Sequence, residues 1–409
     1  MKNIHAGDKS LVREINLSAV LDQLQGQAPV SRAQLALLTG LNKSTISSLI
    51  DELIETGLVI ENGLMTSLAG RPGKLLELNP NAGCGIGMEI GVDFILVVVS
   101  DFVGNILWRI NEPIQTDAGQ DAILERTFIL IDEARIAALS FNTRLLGIGL
   151  TVPGMVDIKT GFLIFSPNLG WRNVPLKEMY TKRTGLPVFV DNDATAAALG
   201  EHLFGNARKL RDFIFVLVGI GIGCGMFLDG KIYRGTGGMA GEIGHTILGA
   251  EVNRPCRCGH RGCWETYGNQ YALIERMHAR LDIGLRSMVT EYMVEENQTL
   301  SIKLISRAAD AGDPVALDVF AETGNAIGLG IANLVDIFNP EMVVIGGGIS
   351  IAGEYLLPSI KTVVQERALP EAQKQTSLVL TKFGTDAVVM GAVGIVVKAI
   401  LSNPLKVQI

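Results

Sequence analysis

The chain has 409 residues, 48% of them hydrophobic and 19% charged, with a formal net charge of -7. That length predicts two or three domains with ample core, and the acidic balance excludes nucleic-acid binding through overall charge, so any DNA contact has to be local. Neither a signal peptide nor an apolar run near twenty residues is read from the sequence, which predicts a cytoplasmic protein without a membrane partner and argues against disulfides among its five cysteines.

Residues 10–57 read as three helices. The first, about 10–25, places Val12, Ile15, Val20, Leu21 and Leu24 mostly on one face. The second opens on Ser31-Arg32-Ala-Gln34, the spacing of a capping box, and is expected to bury Leu35 and Leu38. After the turn Thr39-Gly40-Leu41, Asn42 is a natural cap for a third helix that turns Ile46, Leu49, Ile50 and Leu53 inward and stops at Gly57. Lys43, Ser44, Thr45, Ser47 and Ser48 are left around its exposed first turns. This is the helix-turn-helix pattern, whose second helix enters the major groove. Leu58–Ile60 and Lys74–Leu78 are expected to pair as strands of a wing around residues 61–73, where rigid and small neighbours present Arg71 to a minor groove. The candidate DNA contacts are therefore Arg32, Asn42, Lys43, Ser44, Thr45, Ser47, Ser48 and Arg71. A small helical interaction or dimerisation module is the competing reading, since residues 1–80 carry seven Lys/Arg against eight Asp/Glu. Phosphate contact, however, needs only a few local cations.

The remainder is α/β and contains an internal echo. Residues 84–107 run strand, Gly-containing turn (Glu89-Ile-Gly91-Val92-Asp93), strand, and residues 213–233 repeat this around Val218-Gly-Ile-Gly-Ile-Gly223, which predicts two similar lobes. Helices are expected at about 120–140, 193–204, 266–281, 301–335 and 386–402. Gly346-Gly-Gly348 follows the apolar strand Met342–Ile345.

Glu242-Ile-Gly-His245 precedes Cys256-Arg-Cys258-Gly-His-Arg-Gly-Cys263-Trp-Glu265. One histidine and three cysteines are the donors zinc prefers, and four of them close a tetrahedron with no position left for a substrate water, so His245, Cys256, Cys258 and Cys263 are candidate ligands of a structural zinc. His260 is a spare ligand expected to face solvent. Small buried cysteines or a disulfide are the competing explanations.

The Glu-X-Gly-His and Cys-X-Cys-Gly-X-X-Gly-Cys-X-Glu signature resembles that of the ROK family (repressors, open reading frames and kinases). The resemblance runs from about residue 83 to the C-terminus, and residues 1–80 resemble the winged helix-turn-helix of the repressor branch. It implies an actin-like, ribonuclease-H-like sugar-kinase architecture with ligand in a cleft between lobes. The expected division is 1–80 for the DNA-binding domain, 81–195 for the first lobe with 388–409 packed on it, and 196–387 for the second lobe with the zinc site. The resemblance maps sugar ligands onto Gly154, Asn168, Asn192, Asp193, Glu242, His245 and Glu265, residue types that suit the several hydroxyls of a polyol. Taken from the residues alone, Asn192 and Asp193 also suit a helix N-cap, and Glu242 and Glu265 suit partners that orient zinc ligands.

Family kinases use an Asp-X-Gly-Gly-Thr turn at the first phosphate site. Val92 and Asp93 stand there instead, adding a carboxylate where phosphate charge approaches, and Ile220 replaces the usual threonine of the second loop. Asp193 matches the kinase base and is expected to serve as a sugar hydrogen-bond acceptor. The resemblance thus implies a sugar-responsive repressor of sugar-catabolic genes, not an enzyme, released from an inverted-repeat operator by an aldose of the xylose or glucose type. It is expected to act as a homodimer or dimer of dimers. An active ATP-dependent sugar kinase with an added DNA-binding domain is the alternative.

Overall fold

The computed structural model describes residues 9–64, 74–114, 118–249 and 253–404. Three helices open the chain: α1 (Lys9–Gln27), α2 (Arg32–Thr39) and α3 (Lys43–Glu55). The capping box at α2 is formed in both directions, with Ser31 Oγ accepting from Gln34 N and Gln34 Oε1 accepting from Ser31 N. Gly40 takes φ +70 to reverse the chain, and Asn42 Oδ1 accepts Thr45 N at 2.8 Å to start α3. Gly57 at φ +71 ends it, with Leu58 N donating back to Leu53 O and Gly57 N to Ile54 O, both at 3.0 Å. Val59–Leu64 and Lys74–Leu78 then pair antiparallel, and Val30–Ser31 adds a third strand beyond Lys74–Leu78. The first domain is a winged helix-turn-helix.

Two expectations about its core are corrected. Val12 and Ile15 are 54% and 58% exposed, and the inward stripe of α1 is instead Leu17, Val20, Leu21 and Leu24. At about 100° per residue, Val12 and Ile15 lie roughly 140° and 160° from Leu17, so they point away from that stripe. Leu38 is also exposed, because the short α2 sends only Leu35 inward.

The body consists of two lobes with one topology. The first sheet runs Val188–Asn192, Leu145–Val152, Cys84–Ile90, Phe94–Asp101, Ile106–Pro113; the second runs Lys231–Ile232, Ile222–Leu228, Phe213–Val218, Met342–Gly346, Ser377–Leu380. Numbered along the chain within each lobe, both have the order 3-2-1-4-5 with the first three strands antiparallel, which accounts for the sequence echo.

Helices Asp193–Phe204 and Ala387–Ser402 fill the space between the sheets at backbone contact. A Cβ at Gly87 would come 2.6 Å from Val389 O, one at Gly200 2.8 Å from Gly391 N, and one at Gly149 would overlap Ala392 O. Side chains there would force backbones apart, so glycine is required for the approach. The C-terminal helix therefore lies against the first sheet, and the boundary expected at 195 falls inside a helix that both lobes share. Leu17, Leu21 and Leu24 of α1 belong to the same apolar cluster as Phe102, Leu203, Phe204 and Met390, so head and body share continuous packing.

Several boundaries differ from expectation. The single helix predicted over 301–335 is two, Ile302–Asp310 and Pro314–Phe338. They are separated by Gly312 at φ +81 and by Asp313, whose carboxylate caps the second helix with Pro314 in its first turn. Helix 266–281 divides at Asn269, which caps Gln270–Asp282. Contrary to the expectation of no apolar run near twenty residues, Pro314–Phe338 and Gly384–Ser402 are long and apolar enough to cross a membrane by length and composition. Most of their apolar windows, 61% and 67%, is buried, which places both as core helices of this fold.

Candidate functional site

Three groups of residues carry chemistry. On the head, Lys43, Ser44 and Ser48 are exposed on the first turns of α3, with Thr45 and Ser47 half-buried beside them. Asn42 uses its side-chain oxygen on Thr45 N and Ser44 Oγ, both at 2.8 Å, so its part is to set the helix start. Arg32 differs from the other candidates. Its guanidinium pairs with Asp51 at 2.8 Å and Glu61 at 3.2 Å and reaches Ser47 O at 3.4 Å, bracing α2, α3 and the wing strand together. Arg71 lies outside the described residues.

The second group is the donor cluster. Gly241 and Gly244 lie flat on strand Ile222–Leu228, where a Cβ on either would overlap Cys224 O or Ile222 O, and this fixes the segment carrying Glu242 and His245 against that strand. Gly259 at φ +93 and Gly262 at φ +78 fold the cysteine segment into a hairpin closed by Cys256 N to His260 O at 2.9 Å. One ligand atom from each of His245, Cys256, Cys258 and Cys263 lies within 4.8 Å of the others. Cys258 Sγ and Cys263 Sγ are 3.7 Å apart, as are Cys256 Sγ and His245 Nδ1. Tetrahedral zinc with Zn–S near 2.3 Å and Zn–N near 2.0 Å sets such edges at about 3.5–3.8 Å, so the residues fit that ion. His260 is exposed, as expected, yet its Nδ1 stands 3.5 Å from Cys258 Sγ.

The third group lies where residues of the two lobes converge. His245 presents Nδ1 to the cysteines and to Glu265 Oε1 at 3.5 Å, while its Nε2 faces Glu242 Oε2 at 3.9 Å. Glu265 is divided in the same way: Oε1 accepts from Cys256 Sγ at 2.9 Å, whereas Oε2 lies 3.0 Å from where a Cβ on Gly221 would stand. That same position is 3.8 Å from Asn168 Nδ2, so Glu265, the second glycine loop and the first-lobe Asn168 converge. Asn192 caps the helix through Thr195 N at 3.1 Å and donates to Gly154 O at 3.2 Å, which joins three of the expected residues, Gly154, Asn192 and Asp193, at one helix start. One N–H and one oxygen lone pair of its amide are thus used by the fold, and one N–H and one lone pair are left over.

Burial pushes the Asp193 carboxyl up to about 7, with the Glu242 carboxylate adding to the shift. The native state therefore holds a proton that the unfolded carboxyl releases near pH 4, and stability falls as pH rises from about 4 to 7. We expect Asp193→Asn to raise the melting temperature at pH 8 by roughly 2–4 °C for each kcal/mol gained, with a clearly smaller gain at pH 5. Thermal melts at both pH values check this, and equal gains contradict it.

Two features were not found from sequence. Asp191, 3% exposed, holds Arg234 in a two-pronged ion pair at 2.7 and 2.6 Å, tying the loop of the second lobe to the last strand of the first. Glu89 is buried with one carboxyl oxygen lacking a hydrogen-bond partner, and burial together with Asp193, Asp386 and Asp93 holds it well above the usual carboxylate range. No spacing announces either, although an acidic residue inside an apolar strand, as at Glu89, is a local anomaly. In the first hairpin turn the Phe94 ring packs under Gly91, Val92 is half-buried and Asp93 is exposed. In the second loop, Asn269 Nδ2 donates to Ile220 O at 2.7 Å and Gln270 N to Gly219 O at 3.0 Å, so protein groups occupy its carbonyls.

A winged helix-turn-helix head on a two-lobed sugar-kinase-like body is the build of a DNA-binding regulator. The ROK family matches residues 85–399, and the IclR helix-turn-helix domain matches residues 16–63. The chain belongs to the ROK family, among its transcriptional regulators. The xylose repressor of Caldicellulosiruptor bescii is 36% identical over 399 residues, covering 97% of this chain and 99% of its own. A solved ROK family transcriptional regulator, described as a homologue of the E. coli MLC protein, aligns with a TM-score of 0.79 at 30% identity over 96% of this chain and 98% of its own. The ROK family glucokinase of Streptomyces griseus, solved with glucose and AMPPNP, aligns with a TM-score of 0.68 at 32% identity and covers 76% of this chain and 99% of its own.

Proposed function

We propose that this chain is a cytoplasmic, sugar-responsive repressor of sugar-catabolic genes. Its head binds one half of an inverted-repeat operator, so a homodimer or dimer of dimers supplies the two heads. An aldose of the xylose or glucose type occupies the cleft, hydrogen-bonded by Gly154, Asn168, Asn192, Asp193, Glu242, His245 and Glu265. Differential affinity of that sugar for one lobe arrangement weakens operator binding. Structural zinc on His245, Cys256, Cys258 and Cys263 fixes the imidazole tautomer, leaving Nε2 for a sugar hydroxyl. The observation that carries this reading is the convergence of Asn168 of the first lobe with Glu265 and the second glycine loop, in a chain whose first hairpin turn presents Val92 and Asp93. The name of the Caldicellulosiruptor relative supports xylose as the first sugar to try.

Asp193 alone favours the kinase reading, because a carboxyl near 7 suits a general base. A base without a phosphate cradle transfers no phosphoryl group efficiently, and the exposed Asp93 carboxylate opposes ATP's charge. The expected result of a coupled ADP-release assay with xylose and glucose is no turnover above background. Rates in the ordinary kinase range, roughly 1–100 per second, would contradict the repressor assignment. Val92→Gly with Asp93→Thr, which rebuilds the family turn, tests whether Asp193 is otherwise competent.

A further inference from the structure

We infer that helix Asp193–Phe204 is a rigid rod that carries the state of the cleft to the DNA-binding head, and that Gln25 and Arg208 are the residues that couple the two. This rests on the repressor reading and names the route by which it operates.

The rod begins at Asp193, one of the proposed sugar ligands, and its cap Asn192 is bonded to Gly154 O at 3.2 Å, so a ligand held by these residues acts on the helix directly. Its N-terminal half has no room to flex. Cβ atoms at Gly225 and Gly391 would overlap Ala194 O and Ala196 O, so the second sheet presses on one side and the C-terminal helix on another. A change of lobe angle therefore displaces the helix as a unit, because packed interiors are not continuously deformable.

Its far end meets the head. Gln25, near the end of α1 and 7% exposed, donates from Nε2 to Leu203 O. Arg208 Nη2 returns a bond to Gln25 O at 2.7 Å. The turn carrying Arg208 is fixed to the rod, because the fully buried Glu201 accepts Asn206 N at 2.7 Å and the Thr381 hydroxyl of the second lobe. Lys398 and Asp22 add an exposed ion pair at 2.8 Å, which counts for less in water. Within the head, Arg13 of α1 is paired with Glu52 of α3 at 2.6 Å, so α1 touches the recognition helix as well as the rod. With about 1.5 Å per residue, roughly 15 Å of rod and a further 18 Å of α1 span the distance from Asp193 to Arg13.

The test uses the full chain, D-xylose and a fluorescent operator duplex. Gln25→Leu removes the side-chain bond to the rod, and Arg208→Met removes the bond to the Gln25 carbonyl while keeping the stem. Both variants are expected to bind the operator and xylose within about twofold of the parent chain when each ligand is added alone. The xylose-induced loss of operator affinity, about 5- to 150-fold for an ordinary coupling, is expected to fall below about twofold. Full retention of that response in either folded variant overturns the coupling role. A parent chain with no response to xylose or glucose overturns the repressor reading itself, and the rod with it. Should both variants misfold, hydrogen exchange on the unaltered chain decides: xylose is expected to change amide protection at Ala28 and at Gly205 and Ala207. Unchanged protection at all three, in protein that xylose releases from DNA, overturns the proposal.

Discussion

Cys258→Ser is expected to strip the chain of its metal and to weaken aldose binding by at least about 10- to 100-fold, the range seen when groups that orient a metal site are removed. The effect is large because the donor cluster lies against both Glu242 and Glu265. His245 shares its Nδ1 side with Cys256 and its Nε2 side with Glu242, and Glu265 reaches the cysteines with Oε1 and the cleft with Oε2. Without the ion, three clustered thiols and an imidazole have nothing to hold them at ligand spacing, and both carboxylates lose their orientation. Metal analysis of protein purified without added zinc, followed by calorimetric titration with xylose, reads both outcomes. The unaltered chain should hold about one zinc, matching its one His/Cys3 set among the described residues. A metal-free variant with full sugar affinity contradicts the linkage.

The second large effect is expected on α3. Lys43→Ala should weaken binding to every DNA sequence alike and lower the slope of log affinity against log salt by about 0.9, the loss of one phosphate contact. Lys43 is the first residue of the helix and exposed, so its charge is expected to meet a backbone phosphate without entering the groove. Substitutions at Ser47 and Ser48 should change preference at particular base pairs by about 1–3 kcal/mol each. Arg32→Ala is a useful contrast: its donors are committed to Asp51, Glu61 and Ser47 O, so its loss should lower the stability of the head as well as its affinity. Salt titrations and a mutated-operator panel check these expectations. A Lys43→Ala chain with an unchanged salt slope contradicts the placement of α3 on the backbone.

What the sequence displayed was mostly local. Ser31 with Gln34, Asn42 before an apolar period, and Gly57 after it mark helix ends by hydrogen bonds within a few residues, and the structure makes those bonds. The clustering of His245 with the three cysteines was legible for the same reason, with three cysteines inside eight residues and glycines at the bends. Errors arose where packing between distant segments decides. Val12 and Ile15 satisfy a loose apolar pattern but point away from the stripe that the body covers. The break at Gly312-Asp313-Pro314 carried a recognisable stop and start signal that the surrounding apolar sequence obscured. The pairs Gln25 with Leu203 and Asp191 with Arg234 lie 178 and 43 residues apart, and no single-chain pattern marks them.

If one bound sugar controls one DNA-binding head, operator affinity depends on the sugar. Fluorescence anisotropy of a duplex carrying the inverted repeat nearest the chain's own gene, titrated with the full-length protein with and without 10 mM-scale xylose or glucose, tests it most directly. Tight binding that one of these aldoses weakens about 5- to 150-fold, with no such effect in Asp193→Ala, is the predicted result. Equal affinity for this duplex and random DNA, or operator binding indifferent to both sugars, would contradict the account.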